Sequence, residues 1–270
     1  MRSRGLVIFP LLYAVAFAVI ALLLEGGEGF RPFVLGQKIL VRVLAIIGCY
    51  LAVAVFERGD HLRRAWHWMA VATILVLIRD LLRIAVPDNP DVFAFDDVIV
   101  RSLGVASNLG LLSGVWLMSR AWKMAALSLP GGRYGMIIVA VIAALLALAA
   151  AGPSALANWQ KIADGEWDSL VMGVSAVVDI LSLCLLAPLL LTAIALRRGH
   201  FFWPWALITA SLLSWLLYDG GAELEKLEQV RQAIGGFPLA EVFRGLAENF
   251  LFTAGIAQSM VIRRVRQEAV

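Results

Sequence analysis

Acidic residues inside apolar stretches are the groups of this sequence that could do chemistry. The clearest is Asp179, which lies within the apolar run that begins at Leu170. Ser175 and Ser182 flank it at helical spacing, so one face of this helix is polar. A carboxylate in lipid costs free energy, and it marks either a functional group or one partner of an ion pair. We therefore expect Asp179 to contact a ligand, to couple ion movement, or to pair with a cation.

Polar residues recur at helical spacing in several other apolar segments. Glu241, Arg244 and Glu248 share one helix face, which Asn249 extends. Two interpretations stay open: the groups line one pocket for a small polar ligand or ion, or they form ion pairs between helices that fix the helix register. The other residues assigned to the same candidate site are Arg42, Asp80, Arg101, Asn108 and Asp219.

Other catalytic and cofactor chemistries find little support in the sequence. No hydrolase, metalloprotease or phosphate-loop motif occurs, so no catalytic residue is predicted. No lysine falls within the predicted apolar spans, so a retinal Schiff base is not expected. The histidines, His61, His67 and His200, are predicted at the cytoplasmic ends of spans, and a metal site with several convergent ligands is not expected. A haem held between helices stays a secondary hypothesis.

The elements that position these residues must be membrane-spanning helices. Of the 270 residues, 61% are hydrophobic and 16% are charged, and the mean hydropathy is +0.85. A soluble core could not hide this excess, and about 20 apolar residues in a helix cross the hydrocarbon layer. We expect an all-α, polytopic transmembrane bundle of about eight spans, with seven as the alternative. The predicted spans are Leu6–Leu24, Ile39–Phe56, Ala65–Ile78, Val98–Met118, Met136–Ala151, Leu170–Leu196, Phe201–Tyr218 and Phe243–Ile262.

The distribution of basic residues predicts the orientation of the bundle. With the N-terminus inside, the inner segments hold most of the arginines, including Arg2, Arg4, Arg197 and Arg198, and the outer segments are acidic. Lysine and arginine mark the cytoplasmic side of membrane proteins. We expect a bacterial-type inner-membrane protein with both termini in the cytoplasm. Nearly all candidate site residues then lie in the outer half of the membrane, so a pocket among them would open outward.

The two halves of the sequence follow a similar plan. Spans three and seven open with Trp66-His67-Trp68 and Trp203-Pro204-Trp205, and each closes on an aspartate. A short basic turn precedes each of these spans. An even number of spans per repeat makes two repeats parallel. We therefore predict one integral membrane domain built from two four-span repeats, residues 1–130 and 131–270.

Small residues at helical spacing predict where helices approach each other closely. Gly110 and Gly114 form a GxxxG motif, and Gly48 and Gly255 are each followed four positions later by a small residue. We expect the Gly110–Gly114 face to pack against a neighbouring helix, a protein partner or a second copy. The lipid bilayer is the other expected partner. No basic face with stacking aromatics occurs, so nucleic acid is not expected.

Part of the second half resembles a known class of membrane module. Asp179 is followed by Arg197-Arg198-Gly199, Trp205, Asp219 and a helix from Arg244 to Gln258. This pattern resembles the multi-span input modules found ahead of the output domains of bacterial histidine kinases and diguanylate cyclases. The resemblance implies a module that senses a ligand or couples to a partner. No output domain follows the last predicted span, so the output is expected on another protein.

These observations favour a non-enzymatic inner-membrane protein. It would bind a small or lipidic ligand as a sensing module, or serve as a membrane subunit of a larger complex. The alternative is a small secondary transporter with Asp179 as the coupling carboxylate, although the inner halves of the spans offer few polar groups for a path across. A third hypothesis is an intramembrane enzyme acting on lipid, with Asp179 and Glu248 as acid and base, but no motif supports it.

Overall fold

The computed structural model describes residues 4–25, 27–85, 93–124, 132–197, 199–225 and 238–268. Within these ranges there are nine α-helices and one short 3₁₀ turn, Trp167–Ser169, and no strand. The helices are α1 Arg4–Leu24, α2 Phe30–Val53, α3 His61–Ala85, α4 Phe93–Ser119, α5 Ala121–Met124, α6 Gly132–Ala163, α7 Leu170–Ala195, α8 Phe202–Glu225 and α9 Leu239–Glu268.

Five of these helices contain a segment that is long and apolar enough to cross a membrane: α1, α2, α3, α4 and α7. Two further apolar segments are shorter, Tyr134–Ala149 in α6 and Phe202–Tyr218 in α8. The prediction of a helical protein with helices apolar enough to cross a membrane is confirmed for the described residues. The total of about eight spans and the four-span repeats stay predictions.

The start of α2 places a lysine inside a candidate membrane-spanning helix. α2 begins at Phe30 rather than at Ile39, so Lys38 lies inside a helix that is apolar enough to cross the membrane. The prediction that no span contains a lysine is therefore wrong. The helix extends before the predicted start at Ile39 because apolar residues flank Lys38 and because Lys38 contacts the carboxylate of Glu241.

The chain divides into two compact units. Unit 1 comprises Met1–Phe56 and Leu189–Val270, and unit 2 comprises Glu57–Pro188. The second boundary falls at Pro188, which lies inside the continuous helix α7. The bounds of the two units differ from those of the two predicted repeats. The repeats describe similarity within the sequence, and they stay a prediction.

α9 is the centre of unit 1. It packs against α8, α2 and α1, whereas α1 and α2 make few contacts with each other. Ser211 on α8 donates a hydrogen bond to the carbonyl of Ala247 across 2.7 Å. The rings of Phe9 and Phe252 join α1 to α9, with centroids 5.9 Å apart. Within the described residues, α9 is not among the helices apolar enough to cross a membrane, and its side chains Arg244, Glu248 and Asn249 are buried.

Glycines allow α2 and α9 to approach closely, at positions where the sequence predicts a close contact. A Cβ atom added to Gly48 would lie 2.6 Å from backbone atoms of Phe252, and one added to Gly255 would collide with the backbone of Gly48. Helix backbones come this close only where side chains are absent. The crossing therefore fixes which residues of the two helices face each other.

The helices α3 and α4 form the main pair of unit 2. A Cβ atom on Gly110 would lie 3.3 Å from the Cβ of Ala72, and one on Gly114 would lie 2.8 Å from the Cγ of Met69. The GxxxG face thus packs against a neighbouring helix of the same chain. A protein partner or second copy at this face stays a prediction.

α6 presents many of its apolar side chains outward. Ile138, Val141, Leu145 and Leu146 are each more than half exposed. Side chains of this kind are stable against acyl chains and unfavourable in water. The apolar surface of α6 therefore fits a helix that lies in a bilayer.

Candidate functional site

The polar face of α9 is buried inside unit 1. Arg244 and Glu248 are each only 3% exposed, and Asn249 is fully buried. On a helix that faced lipid, such charges would cost several kcal/mol each. Here α2 and α8 pack against this face. Arg244, Glu248 and Asn249 are therefore interior groups of the unit.

Arg42 on α2 and Glu248 on α9 form a buried ion pair. The Nε of Arg42 donates to Oε1 of Glu248 across 3.2 Å, and both side chains are 3% exposed. Desolvating two charges costs about as much as their attraction returns, but removing one of them leaves the other buried. The pair is thus expensive to break, and it fixes the register between α2 and α9.

Further charges lie along the same two helices. The Nζ of Lys38 lies 2.9 Å from Oε1 of Glu241, and Glu241 also pairs with Arg244 on its own helix. The guanidinium carbon of Arg244 lies 5.9 Å from the ring centre of Tyr218 on α8, within the range of a cation–π interaction. One network of charged and aromatic side chains therefore joins α2, α8 and α9.

A cavity of about 400 Å³ lies between α1 and α2, which both pack on α9 but make few contacts with each other. This volume is within the range of about 300–1,000 Å³ found for small-molecule sites. None of the lining residues carries a charge. They are Tyr13, Ala16, Phe17, Ile20, Pro32, Phe33, Gly36, Gln37 and Leu40.

Gln37 is the polar group at the floor of this cavity. It is 5% exposed, and its amide nitrogen lies 2.7 Å from the place that a Cβ atom on Gly245 of α9 would occupy. The hydroxyl of Tyr13 lies next to the amide, but neither amide atom of Gln37 meets the distance and angle of a hydrogen bond with a described protein group. Most buried polar groups have partners. Gln37 therefore marks a place where a ligand can supply the missing hydrogen bonds.

Four of the predicted site residues come together in unit 1: Arg42, Arg244, Glu248 and Asn249. Arg42 and Glu248 are direct partners. Asn249 donates to the carbonyl of Gly245 in its own helix across 2.8 Å. An ion pair between helices is present in this group, and the cavity lies beside it at Gly245; whether the group also binds a ligand stays a prediction.

Most of the other predicted residues belong to unit 2. Asp80 pairs with its neighbour Arg79 across 3.1 Å. Asp179 and Arg101 are half-buried, and each interacts with other groups. A single pocket shared by the residues of the two units stays a prediction, and the side chain of Asp219 lies outside the described part. The predicted residues of unit 2 are Asp80, Arg101, Asn108, Ser175, Asp179 and Ser182.

Tyr13, Gln37 and Lys38 are not among the residues predicted from the sequence. A signal for the last two was present, because Lys38 precedes Arg42 by one helical turn and Gln37 is one residue away. The predicted span begins at Ile39 and therefore excludes both residues. Nothing in the sequence marked Tyr13, since a single tyrosine in an apolar helix has no periodic partner.

Among the described residues, no three His, Cys, Asp or Glu side chains are placed to hold a metal ion. No family model, curated protein or solved structure matches this chain. The function proposed below therefore rests on the chemistry of the site.

Proposed function

We propose that this chain is a non-enzymatic integral protein of a bacterial-type inner membrane, with both termini in the cytoplasm. It binds a small lipid-soluble ligand in its outward-facing half, and it acts as a ligand-sensing module or as a membrane subunit of a larger complex. One observation supports this proposal most strongly. The cavity between α1 and α2 ends on Gln37, which lies against Gly245 of α9 between the buried charges Arg244 and Glu248.

The arrangement suggests how a bound ligand would be sensed. A ligand in the cavity touches α1 and α2 directly and reaches α9 at Gly245. A ligand shifts a conformational equilibrium only when it binds two states differently. A ligand in the cavity changes the distance between α1 and α2 where both helices pack on α9. The Arg42–Glu248 ion pair can form only in particular registers of α2 against α9. α9 would carry the change toward its basic end, where a partner protein could bind.

The first test is native mass spectrometry, with an absorption spectrum, of protein extracted gently from its own membrane. We expect a reproducible bound mass, because an empty apolar cavity with a buried amide at its floor is unfavourable. A co-purifying polypeptide would support the subunit version of the proposal. A bare chain of 29.4 kDa, without chromophore or partner under several mild detergents, would contradict both versions.

A small secondary transporter is the second candidate, and the observation that favours it is Asp179. This carboxylate is half-buried inside the apolar helix α7, with the buried Ser182 one turn away. Carboxylates at such positions couple substrate movement to protons or cations in membrane transporters. The few polar groups predicted for the inner halves of the spans count against a continuous path.

An Asp179→Asn variant separates the two candidates. If Asp179 couples transport, ion-driven flux into vesicles containing the purified protein should fall by at least about tenfold while thermal unfolding is unchanged. The exposed Asp164→Asn is the matched control. If Asp179→Asn retains full flux, or if the parent chain gives no flux with any tested ion gradient, the transporter candidate is rejected.

A further inference from the structure

We propose that the cavity between α1 and α2 binds an uncharged, lipid-soluble molecule with a compact planar head that bears a carbonyl group, as in a quinone, and with an apolar tail. This inference rests on the ligand-binding function proposed above and names the chemistry of the ligand. Four features of the cavity support it: the direction of its opening, its hydrogen-bonding floor, its neutral lining and its aromatic walls.

The cavity opens on the side that carries exposed apolar residues. Ile20 and Leu40 at the opening are exposed, whereas Phe17 and Gln37 at the floor are buried. An opening flanked by apolar side chains admits molecules from the hydrocarbon rather than from water. Because no lining residue is charged, an ionised head group would lose its hydration without gaining a counter-ion.

The floor offers hydrogen bonds that suit a carbonyl group. The amide of Gln37 has two N–H donors and one acceptor, and the neighbouring hydroxyl of Tyr13 is a further donor. A carbonyl oxygen can accept from both side chains at once. Such a contact would satisfy the amide nitrogen of Gln37, which lacks a hydrogen bond to the described protein groups.

The position of Gln37 in α2 and the neutral lining of the cavity favour a carbonyl compound over a phospholipid head group as the occupant. Gln37 lies within α2 about 10 Å from the start of the helix at Phe30, given a rise of about 1.5 Å per residue. Phosphate groups stay in the polar layers outside the hydrocarbon core, which is about 30 Å thick. A carbonyl compound dissolved in the bilayer can reach the amide at this place in the helix, whereas a phosphate there would find no cation among the lining residues.

Aromatic rings form part of the cavity wall. Phe17 and Phe33 stack with centroids 5.4 Å apart and an interplanar angle of 15°, and Tyr13 adds a third ring to the lining. Planar rings pack well against such surfaces in offset or edge-to-face geometry. The walls therefore favour a flat head over a branched or bulky one.

The test uses the full chain in phosphatidylcholine nanodiscs, with empty nanodiscs as the baseline. One probe is a decyl-substituted benzoquinone, and the matched probe is decylbenzene, which has the ring and tail but no carbonyl. Gly36→Leu adds a side chain at a lining position of the cavity, where a Cβ atom meets nothing within 4 Å. Gly152→Leu is the control: it is also helical, its Cβ atom would meet only the Cβ of Leu148 at 4.0 Å, and it does not line the cavity.

We expect Gly36→Leu to weaken binding of the benzoquinone by at least about tenfold and Gly152→Leu to leave it unchanged. Gln37→Leu should weaken benzoquinone binding by about tenfold and decylbenzene binding by less than about threefold, because only the carbonyl loses hydrogen bonds. Thermal unfolding of each variant shows whether it is folded.

The proposal is overturned if Gly36→Leu binds the benzoquinone as well as the parent chain does, or if Gln37→Leu weakens both probes equally. A phospholipid that native mass spectrometry finds bound, and that Gly36→Leu displaces while the benzoquinone never binds, would reject the ligand class and leave the ligand-binding function intact. If neither the purified protein nor the probe titrations show any bound molecule, the proposed function fails as well.

Discussion

A Glu248→Leu variant is expected to lose about 3–5 kcal/mol of stability, because Arg42 would then be buried without the carboxylate of Glu248. The buried thiol of Cys49, on the same helix as Arg42, provides the measurement. In a Cys184→Ala background, labelling of Cys49 by a maleimide reports how often unit 1 opens. We expect the labelling rate to rise roughly a hundredfold or more, since each 1.4 kcal/mol corresponds to about a factor of ten.

The double variant Arg42→Leu/Glu248→Leu should recover most of this loss, since hydrophobic residues of similar volume commonly replace a buried ion pair at little cost. The matched control is Glu268→Leu, which breaks the Arg264–Glu268 pair, 58% and 62% exposed, on the same helix α9. Exposed pairs contribute less than about 1 kcal/mol. If Cys49 is labelled as fast in the double variant as in Glu248→Leu, the Arg42–Glu248 ion pair does not hold α2 against α9.

A Gly255→Ala variant should also be strongly destabilising, although it adds a single methyl group. The new Cβ atom would occupy the space of the Gly48 backbone, and neither helix can move aside without separating the two backbones. Overpacking of side chains costs about 1–3 kcal/mol, and a collision with backbone should exceed that. We expect a large drop in the thermal unfolding midpoint and loss of Cys49 protection.

The control for Gly255→Ala is Gly36→Ala in α2, where a Cβ atom meets nothing within 4 Å. In a helix, replacing glycine by alanine is favourable by up to about 1 kcal/mol when space allows. Opposite signs for the two variants would show that the close crossing, rather than helix propensity, makes Gly255 necessary. A Gly255→Ala chain as stable as the parent would contradict the crossing.

Several parts of this structure could be predicted because they depend on local periodicity. The shared face of Arg244 and Glu248 follows from helical spacing, and the close contact at Gly48 and Gly255 follows from the need for small residues where backbones meet. The GxxxG face of Gly110 and Gly114 was predicted to pack against a neighbour on the same ground, and within the chain that neighbour is α3.

Partner choice between distant segments could not be predicted. Arg42 and Glu248 lie far apart in the chain, and the sequence alone does not distinguish Glu248 from the other carboxylates near helix ends. The predicted start of α2 at Ile39 is too late because Gln37 and Lys38 lower the local hydropathy, although the partly buried carboxylate of Glu241 and the cavity accommodate them. The cavity itself arises from the separation of α1 and α2 on α9, which no single segment encodes.

The polarity of α9 has a consequence for biosynthesis. α1 and α2 are synthesised first, so Lys38 and Arg42 reach the translocation machinery before the carboxylates of Glu241 and Glu248 exist. α9 in turn carries Arg244, Glu248 and Asn249, which become buried where α2 and α8, both synthesised earlier, pack against it. Unit 1 therefore cannot assemble until α9 has emerged. A nascent chain that stalls before Glu248 lacks the carboxylate that Arg42 contacts in the finished unit, a feature by which proteases could distinguish unfinished molecules from finished ones.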